Sequence, residues 1–196
     1  MLKIGITGGI ASGKSFVASM FELLGIPVYY ADKEAKRLIV EDSDIRRRII
    51  DLLGEESYRD DGSYNTQWVA SVVFSDHKKL LALNAIVHPV VKQDYLLWHS
   101  RMHAAYTLHE SALILEGGFN YLMDRIIVVT APIEMRLDRL ISRDGISRKA
   151  GMQKIQSQSS DEQKLKLADF VIKNDGHHSL INQVLDIHHA LKRLSA

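Results

Sequence analysis

The sequence contains no cysteine. Disulfides, thiolate nucleophiles and cysteine-ligated zinc are therefore excluded. It also lacks an excess of either charge: 25 basic against 24 acidic residues leave a formal +1. A duplex nucleic-acid binder needs a dense basic surface to neutralise phosphates. The one tight basic run, Arg46-Arg47-Arg48, is flanked by Asp42, Asp44 and Asp51, and it reads as the solvated face of a helix. No nucleic-acid partner is expected. No apolar stretch approaches the ~20 residues of a membrane span. The opening MLKIGITGG leaves too few residues before its first turn for the apolar region of a secretory leader. The expectation is a cytoplasmic chain with no membrane contact and no obligate protein partner. Internal repeats and low-complexity linkers are also missing.

What is present suits a folded domain. At 196 residues, 46% hydrophobic and 25% charged, the chain has room for one well-filled core and a smaller inserted subdomain. Leu2 to Thr7 is an apolar run ended by Gly8-Gly9, and reads as a buried strand. Phe16, Val17, Met20, Phe21, Leu23 and Leu24 then recur at helical spacing until Gly25. Pro27-Val28-Tyr29-Tyr30 forms a second strand, so strand, helix and strand make a βαβ unit and a parallel sheet. Residues 33 to about 100 read as mostly helical, with a polar turn at Arg59-Asp60-Asp61-Gly62-Ser63. One helix there should run from Asp76 towards Val87 and end or bend at His88-Pro89, with another following through Trp98 and Met102. Strands return at Tyr106 to Glu110, at Arg125 to Thr130 and at Phe170-Val171-Ile172. Between them, Pro132 starts a helix to Ser142, Arg143-Asp144-Gly145 turns, and Ser147 caps the next helix. Asn174-Asp175-Gly176 is a turn before a terminal amphipathic helix, Ser179 to Leu194. The fold class is α/β, with a five-stranded parallel sheet flanked by helices and a helical insertion.

Gly8 to Ser15 spell GGIASGKS, a GxxxxGK[ST] motif with Gly8, Gly13, Lys14 and Ser15 in register. Glycines let backbone N–H groups turn towards phosphate oxygens without a Cβ in the way. The helix that starts at Gly13 adds its positive dipole end. Lys14 is positioned to reach the β- and γ-phosphates of a nucleoside triphosphate, and Ser15 to offer its hydroxyl to Mg²⁺. The motif stands where it must, after an apolar strand and before an amphipathic helix. A P-loop alone does not separate kinases from switches and motors.

Asp32 stands at the carboxyl edge of the second strand, where open α/β folds hold their ligands. There a carboxylate either orients an attacking hydroxyl and accepts its proton or caps the helix beginning at Lys33, and the two roles are compatible. Arg136, Arg139 and Arg143, spaced by three and four, share one helix face. Beside a P-loop they read as mobile cations that neutralise charge on the transferred group, with Arg148 in the same closing element. The pairs His177-His178 and His188-His189 have no carboxylate at ligand spacing and read as surface residues.

In order and spacing these residues resemble the dephospho-CoA kinase family over nearly the whole chain. IGITGGIASGKS is similar to the family's LTGGIGSGKS. Tyr30-Ala31-Asp32 stands where the family has its catalytic aspartate. Asn84 to Pro89 resembles its L-x-x-x-x-HP segment, and Ala112-Leu113-Ile114-Leu115-Glu116 its PLL-x-E stretch. Arg139, Arg143-Asp144 and Gln158 match the R-x-x-x-RD…Q pattern of its lid. Ala168 to Gly176 is similar to its AD-x-VI-x-N-x-G next to the adenine. Ala11 replaces a usual glycine, Phe16 the threonine after the P-loop serine, and Ala112 the proline of PLL. Ala11 is expected still to permit a helical-type turn, and the Phe16 backbone N–H to keep its phosphate contact.

The resemblance implies a P-loop core of residues 1–32 and 104–196, a lid at about 136–158 and an acceptor-binding helical insertion at 33–103. It implies ATP and Mg²⁺ as cofactors and dephospho-CoA as the small-molecule partner, phosphorylated on its ribose 3′-hydroxyl. Asp32, Lys14 and Arg139 would be catalytic. Gly8, Gly9, Ala11, Ser12, Gly13, Lys14, Ser15, Phe16, Arg143, Asn174 and Gly176 would hold ATP. Asp32 and His88 would meet the acceptor, although His88 reads equally as a helix-terminal residue beside Pro89. Mg²⁺ would be held by Ser15 and an acidic residue, Glu110 or Glu116, with Glu110 fitting by position. Two other readings are a P-loop kinase for another nucleoside, nucleotide or small hydroxyl compound, and a nucleotide-binding switch. Against the switch, Asn174-Asp175-Gly176 lacks the order of an NKxD loop.

Overall fold

The computed structural model describes residues 1–195 (Phe74 by its backbone alone). Five strands, β1 (Leu2–Thr7), β2 (Val28–Tyr30), β3 (Tyr106–Glu110), β4 (Arg125–Thr130) and β5 (Phe170–Lys173), form one sheet in the order β2-β3-β1-β4-β5. Every pairing is parallel. Near-continuous apolar runs are what strands covered on both faces require, and β4 carries one in Ile126, Ile127, Val128 and Val129, all buried. β3 is buried throughout although Thr107, His109 and Glu110 are polar. The helices are α1 (Lys14–Leu23), α2 (Ala31–Glu41), α3 (Ser43–Leu53), α4 (Thr66–Ser75), α5 (His77–Ser100), α6 (Ile133–Asp144), α7 (Arg148–Gln156), α8 (Asp161–Leu165) and α9 (Leu180–Leu194). Among the described residues no helix is long and apolar enough to cross a membrane.

The chain divides into two compact units, Met1–Tyr30 with His99–Ala196, and Ala31–Trp98. In the first, Ile4, Ile6, Leu108, Ile127, Val129 and Ile172 of the sheet share a core with Val17, Ala18 and Phe21 of α1 and Val184, Ile187 and Leu191 of α9. The spacing of 184, 187 and 191 keeps one stripe of α9 on that core. Each fully buried aliphatic side chain contributes about 1.5–3 kcal/mol. Packing of this kind fixes the carboxyl ends of β1 and β3, from which the site is built.

In the second unit, α3 buries Ile45, Ile49 and Leu53 at four-residue spacing. Tyr58 donates its hydroxyl to the Ile39 carbonyl at 2.9 Å, and the Arg46 guanidinium lies 4.5 Å over the Tyr58 ring. Arg47 and Arg48 both pair with Asp44. Arg47 and Arg48 thus lie on a solvated helix face with Asp44, while Arg46 turns onto Tyr58.

Three local features differ from what the sequence suggests. The break at His88-Pro89 does not occur: α5 is one helix of 24 residues with Pro89 inside it. Ala85, whose carbonyl loses its donor, and Pro89 are both exposed, so water can meet the freed acceptor while Ile86, Val87, Val91 and Tyr95 stay buried. Second, α2 leaves β2 without a linker and begins at Ala31, so Asp32 is not a cap but lies inside the first turn. A carboxylate there still favours the helix dipole. Third, α8 was not foreseen. Its capping box, Ser160 with Gln163, is written in the sequence as S-x-x-Q.

Candidate active site

β1 runs into the loop of residues 8–13, and the loop into α1. Gly13 is the N-cap of α1, with φ +93°. A Cβ there would stand 2.2 Å from Asn174 Nδ2, so both conformation and space demand glycine. The first helical bond runs from the Val17 N–H to the Gly13 carbonyl, at 3.0 Å. The N–H groups of Lys14, Ser15 and Phe16 thus have no helical carbonyl to reach. Together with the helix dipole they make an anion site.

The sheet register brings the acid to this loop. Glu110 ends β3 opposite Ile6 of the adjacent β1 and is 3% exposed. Its Oε1 accepts a hydrogen bond from Ser15 Oγ at 2.8 Å and lies 3.0 Å from Lys14 Nζ. A carboxylate so buried is kept only where it is paired. Glu116, the other acidic candidate, is engaged elsewhere: it accepts from the Ser159 N–H at 2.9 Å and lies 3.6 Å from Lys164 Nζ. Burial opposes its ionisation, but the Ser159 N–H and Lys164 more than compensate and hold its pKa below the usual range.

A cavity of ≈ 270 Å³ lies over the loop, walled by Ala11, Gly13, Lys14, Ser15, Phe16, Arg139 and Arg143. Arg139 donates from Nη1 to the Ala11 carbonyl at 3.2 Å, and its Nη2 is 3.4 Å from Asn174 Oδ1. Asn174 in turn donates to the Ser12 carbonyl at 2.8 Å, and Gly176 closes the following turn at φ +81°. Arg143 is exposed and paired with Asp144 at 2.7 Å. Asp144 also takes Lys154 of α7 at 3.0 Å, and Arg148 pairs with Glu134 at 2.7 Å. Helices α6 and α7 are thus linked by ion pairs between their own charges.

Arg136 departs from the expected series. It is 3% exposed and donates from Nε to the Ile10 carbonyl at 2.9 Å and from Nη1 to Asp161 at 3.0 Å. Of the three aligned arginines, 139 and 143 line the cavity and 136 is built into the protein behind it. At Ala11 the expected helical-type turn is left-handed instead, with φ +61°. Phe16 is 61% exposed. In the second unit, Asp32 follows by two residues the register partner of Glu110, Tyr30, and His88 sits within α5, where burial lowers its pKa. The described residues hold no cluster of three or more His, Cys, Asp or Glu side chains that could take a metal ion. For Mg²⁺ at a P-loop the donor set fits: hydroxyl and carboxylate oxygens stand together beside a phosphate site, and magnesium takes the rest of its shell from phosphates and water.

The family model for dephospho-CoA kinase matches residues 2–179. The chain belongs to the dephospho-CoA kinase family. A dephospho-CoA kinase of Bacteroides fragilis strain YCH46 is 42% identical over 187 residues, which cover 95% of this chain and 91% of that one. One from Porphyromonas gingivalis is 38% identical over 95% of this chain and 93% of its own. Among solved structures, TT1252 from Thermus thermophilus superposes with a TM-score of 0.84 at 32% identity, covering 96% of each chain. The parallel sheet with its P-loop is thus the P-loop kinase fold of dephospho-CoA kinases. Sequence reasoning missed Asp161, Lys164 and the structural use of Arg136. The capping-box signature at Ser160 was the available signal for the first of these.

Proposed function

We propose that this member of the dephospho-CoA kinase family transfers the γ-phosphoryl group of ATP to the ribose 3′-hydroxyl of dephospho-CoA, giving CoA and ADP in the cytoplasm as the last step of coenzyme A synthesis. The observation that carries the chemistry is the buried Glu110 carboxylate, shared by Lys14 and Ser15 at the P-loop. In this reading the loop N–H groups bind the phosphates and Lys14 turns from Glu110 to the β- and γ-oxygens. Ser15 and Glu110 would hold Mg²⁺, which when bound neutralises charge on those oxygens. Asp32 orients the 3′-hydroxyl and takes its proton as the oxygen attacks the γ-phosphorus and the bond to the β–γ bridging oxygen breaks. Arg139, with Arg143, stabilises the charge spread over the transferred group. Residues 31–98, with His88 among them, are the acceptor-binding part.

ADP release measured across a panel of acceptors tests this. Dephospho-CoA should stimulate release far above nucleosides, nucleotides and shikimate-like hydroxyl compounds. Stimulation by a nucleoside with none by dephospho-CoA would sink the assignment and leave a P-loop kinase of another acceptor.

A further inference from the structure

The P-loop is not held by its own backbone alone. Both polar groups of Ile10 are taken by side chains from the lid end of the same unit. Its N–H donates to Gln158 Oε1 at 2.7 Å, and its carbonyl accepts from Arg136 Nε at 2.9 Å. Arg136 has no freedom to leave. Asp161 accepts from its Nη1 with both oxygens, at 3.0 and 3.2 Å, and a Cβ on Gly9 would lie 2.1 Å from its Nη2. A planar fork that donates in two directions at once is something arginine supplies and lysine does not.

Gln158 is anchored in the same way. The next residue, Ser159, donates its N–H to Glu116 at 2.9 Å, while its carbonyl accepts from Lys164 Nζ at 2.6 Å. Lys164 is wholly buried. Two residues, Ile10 and Ser159, are thus each held at both their backbone N–H and their carbonyl.

What the grip resists is visible at Ala11, whose φ of +61° puts a Cβ-bearing residue in the left-handed region that alanine disfavours. Three successive loop carbonyls, of Ile10, Ala11 and Ser12, are held by Arg136, Arg139 and Asn174. In a trans peptide the next N–H points the opposite way. Holding the Ile10 and Ser12 carbonyls outward therefore turns the N–H groups of Ala11 and Gly13 away from those side chains. Both residues wall the P-loop cavity.

We infer that Gln158 and Arg136 are positioning residues for the nucleotide: through Ile10 they keep the P-loop in its phosphate-binding conformation, and so tie nucleotide affinity to the seating of the 158–161 segment. The inference rests on the kinase reading above. An unclamped loop is competent only part of the time, and apparent affinity falls by that fraction.

Binding of MgADP by calorimetry, with steady-state kinetics, tests this on Gln158→Ala and Gln158→Glu, at a partly exposed position that tolerates both. One lost hydrogen bond should weaken MgADP binding and raise KM for ATP by about 5- to 10-fold. Turnover at saturating ATP should stay within about twofold, because bound phosphates then impose the loop conformation. Gln158→Glu, which keeps an acceptor for the Ile10 N–H, should recover most of the affinity, and Arg136→Lys should behave like Gln158→Ala. Unchanged MgADP affinity in Gln158→Ala would overturn the inference and leave the kinase intact. So would a loss of turnover with KM unchanged. A wild-type protein that binds no MgADP would overturn the kinase reading itself.

Discussion

Arg139 and Arg136 are one helical turn apart on α6, yet they answer to different physics. Arg136 is buried and engaged by Ile10 and Asp161, so it is committed to holding backbone. Arg139 lines the cavity and touches the loop carbonyls at 3.2–3.4 Å, contacts long enough to be exchanged for phosphate oxygens. Arg139→Ala should therefore lower kcat by about 100-fold, the scale for losing one preorganised donor to transition-state charge, while KM for ATP changes much less. Steady-state kinetics decide it, and a raised KM with intact kcat would make Arg139 a ground-state clamp. No spacing rule could separate these two arginines, since both lie on the same helix face and only burial distinguishes them.

At the level of elements, the strands and most helices were legible because local signals and tertiary demands agree. The run of β4 at residues 126–129 is apolar and buried by the sheet, and Ser147 caps α7 as its position suggests. Pro89 shows where local rules lose. Proline costs about 3 kcal/mol in a helix interior, yet the buried stripe of Ile86, Val87, Val91 and Tyr95 outweighs it and α5 continues. Pro89→Ala should then raise the free energy of unfolding, by up to about 3 kcal/mol, in urea titrations monitored by circular dichroism. Equal or lower stability would mean that the helix is adapted to its proline. The start of α2 was misread for a related reason. A strand can pass directly into a helix, and Asp32 then falls inside the first turn rather than before it.

At the scale of the whole molecule, histidines whose pKa is lowered by burial contribute to the response to acid. His109, wholly buried in β3 and stacked on Tyr29 with ring centroids 5.6 Å apart, has its pKa pushed down to about 4 by burial. Burial moves His88, His99 and His188 the same way. The unfolded chain, with histidine pKa near 6.5, binds more protons between pH 6.5 and 4, so stability is full above that window and falls as pH drops through it. For His109 alone the loss is about 3 kcal/mol. Asp144 and Asp175 have depressed pKa values, through the Arg143 side chain and the His178 N–H respectively, and their contribution is lost only at lower pH. Urea midpoints should be flat near neutrality and decline from pH 6.5 to 4, and His109→Phe should flatten that decline. A midpoint independent of pH across the window would refute the buried neutral histidine.

The sequence by itself determined the chemistry that is local in the chain: a P-loop whose glycines and lysine are contiguous, strands whose apolar runs ask for two-sided burial, and a family resemblance carried by ordered motifs. Only the tertiary structure decided the rest, because it depends on residues brought together from far apart. Sheet register sets Glu110 rather than Glu116 beside Ser15, and packing buries Arg136 against Ile10, 126 residues away. These are long-range contacts with no periodicity to announce them, and they distinguish a cation that lines the P-loop cavity from one that holds the loop.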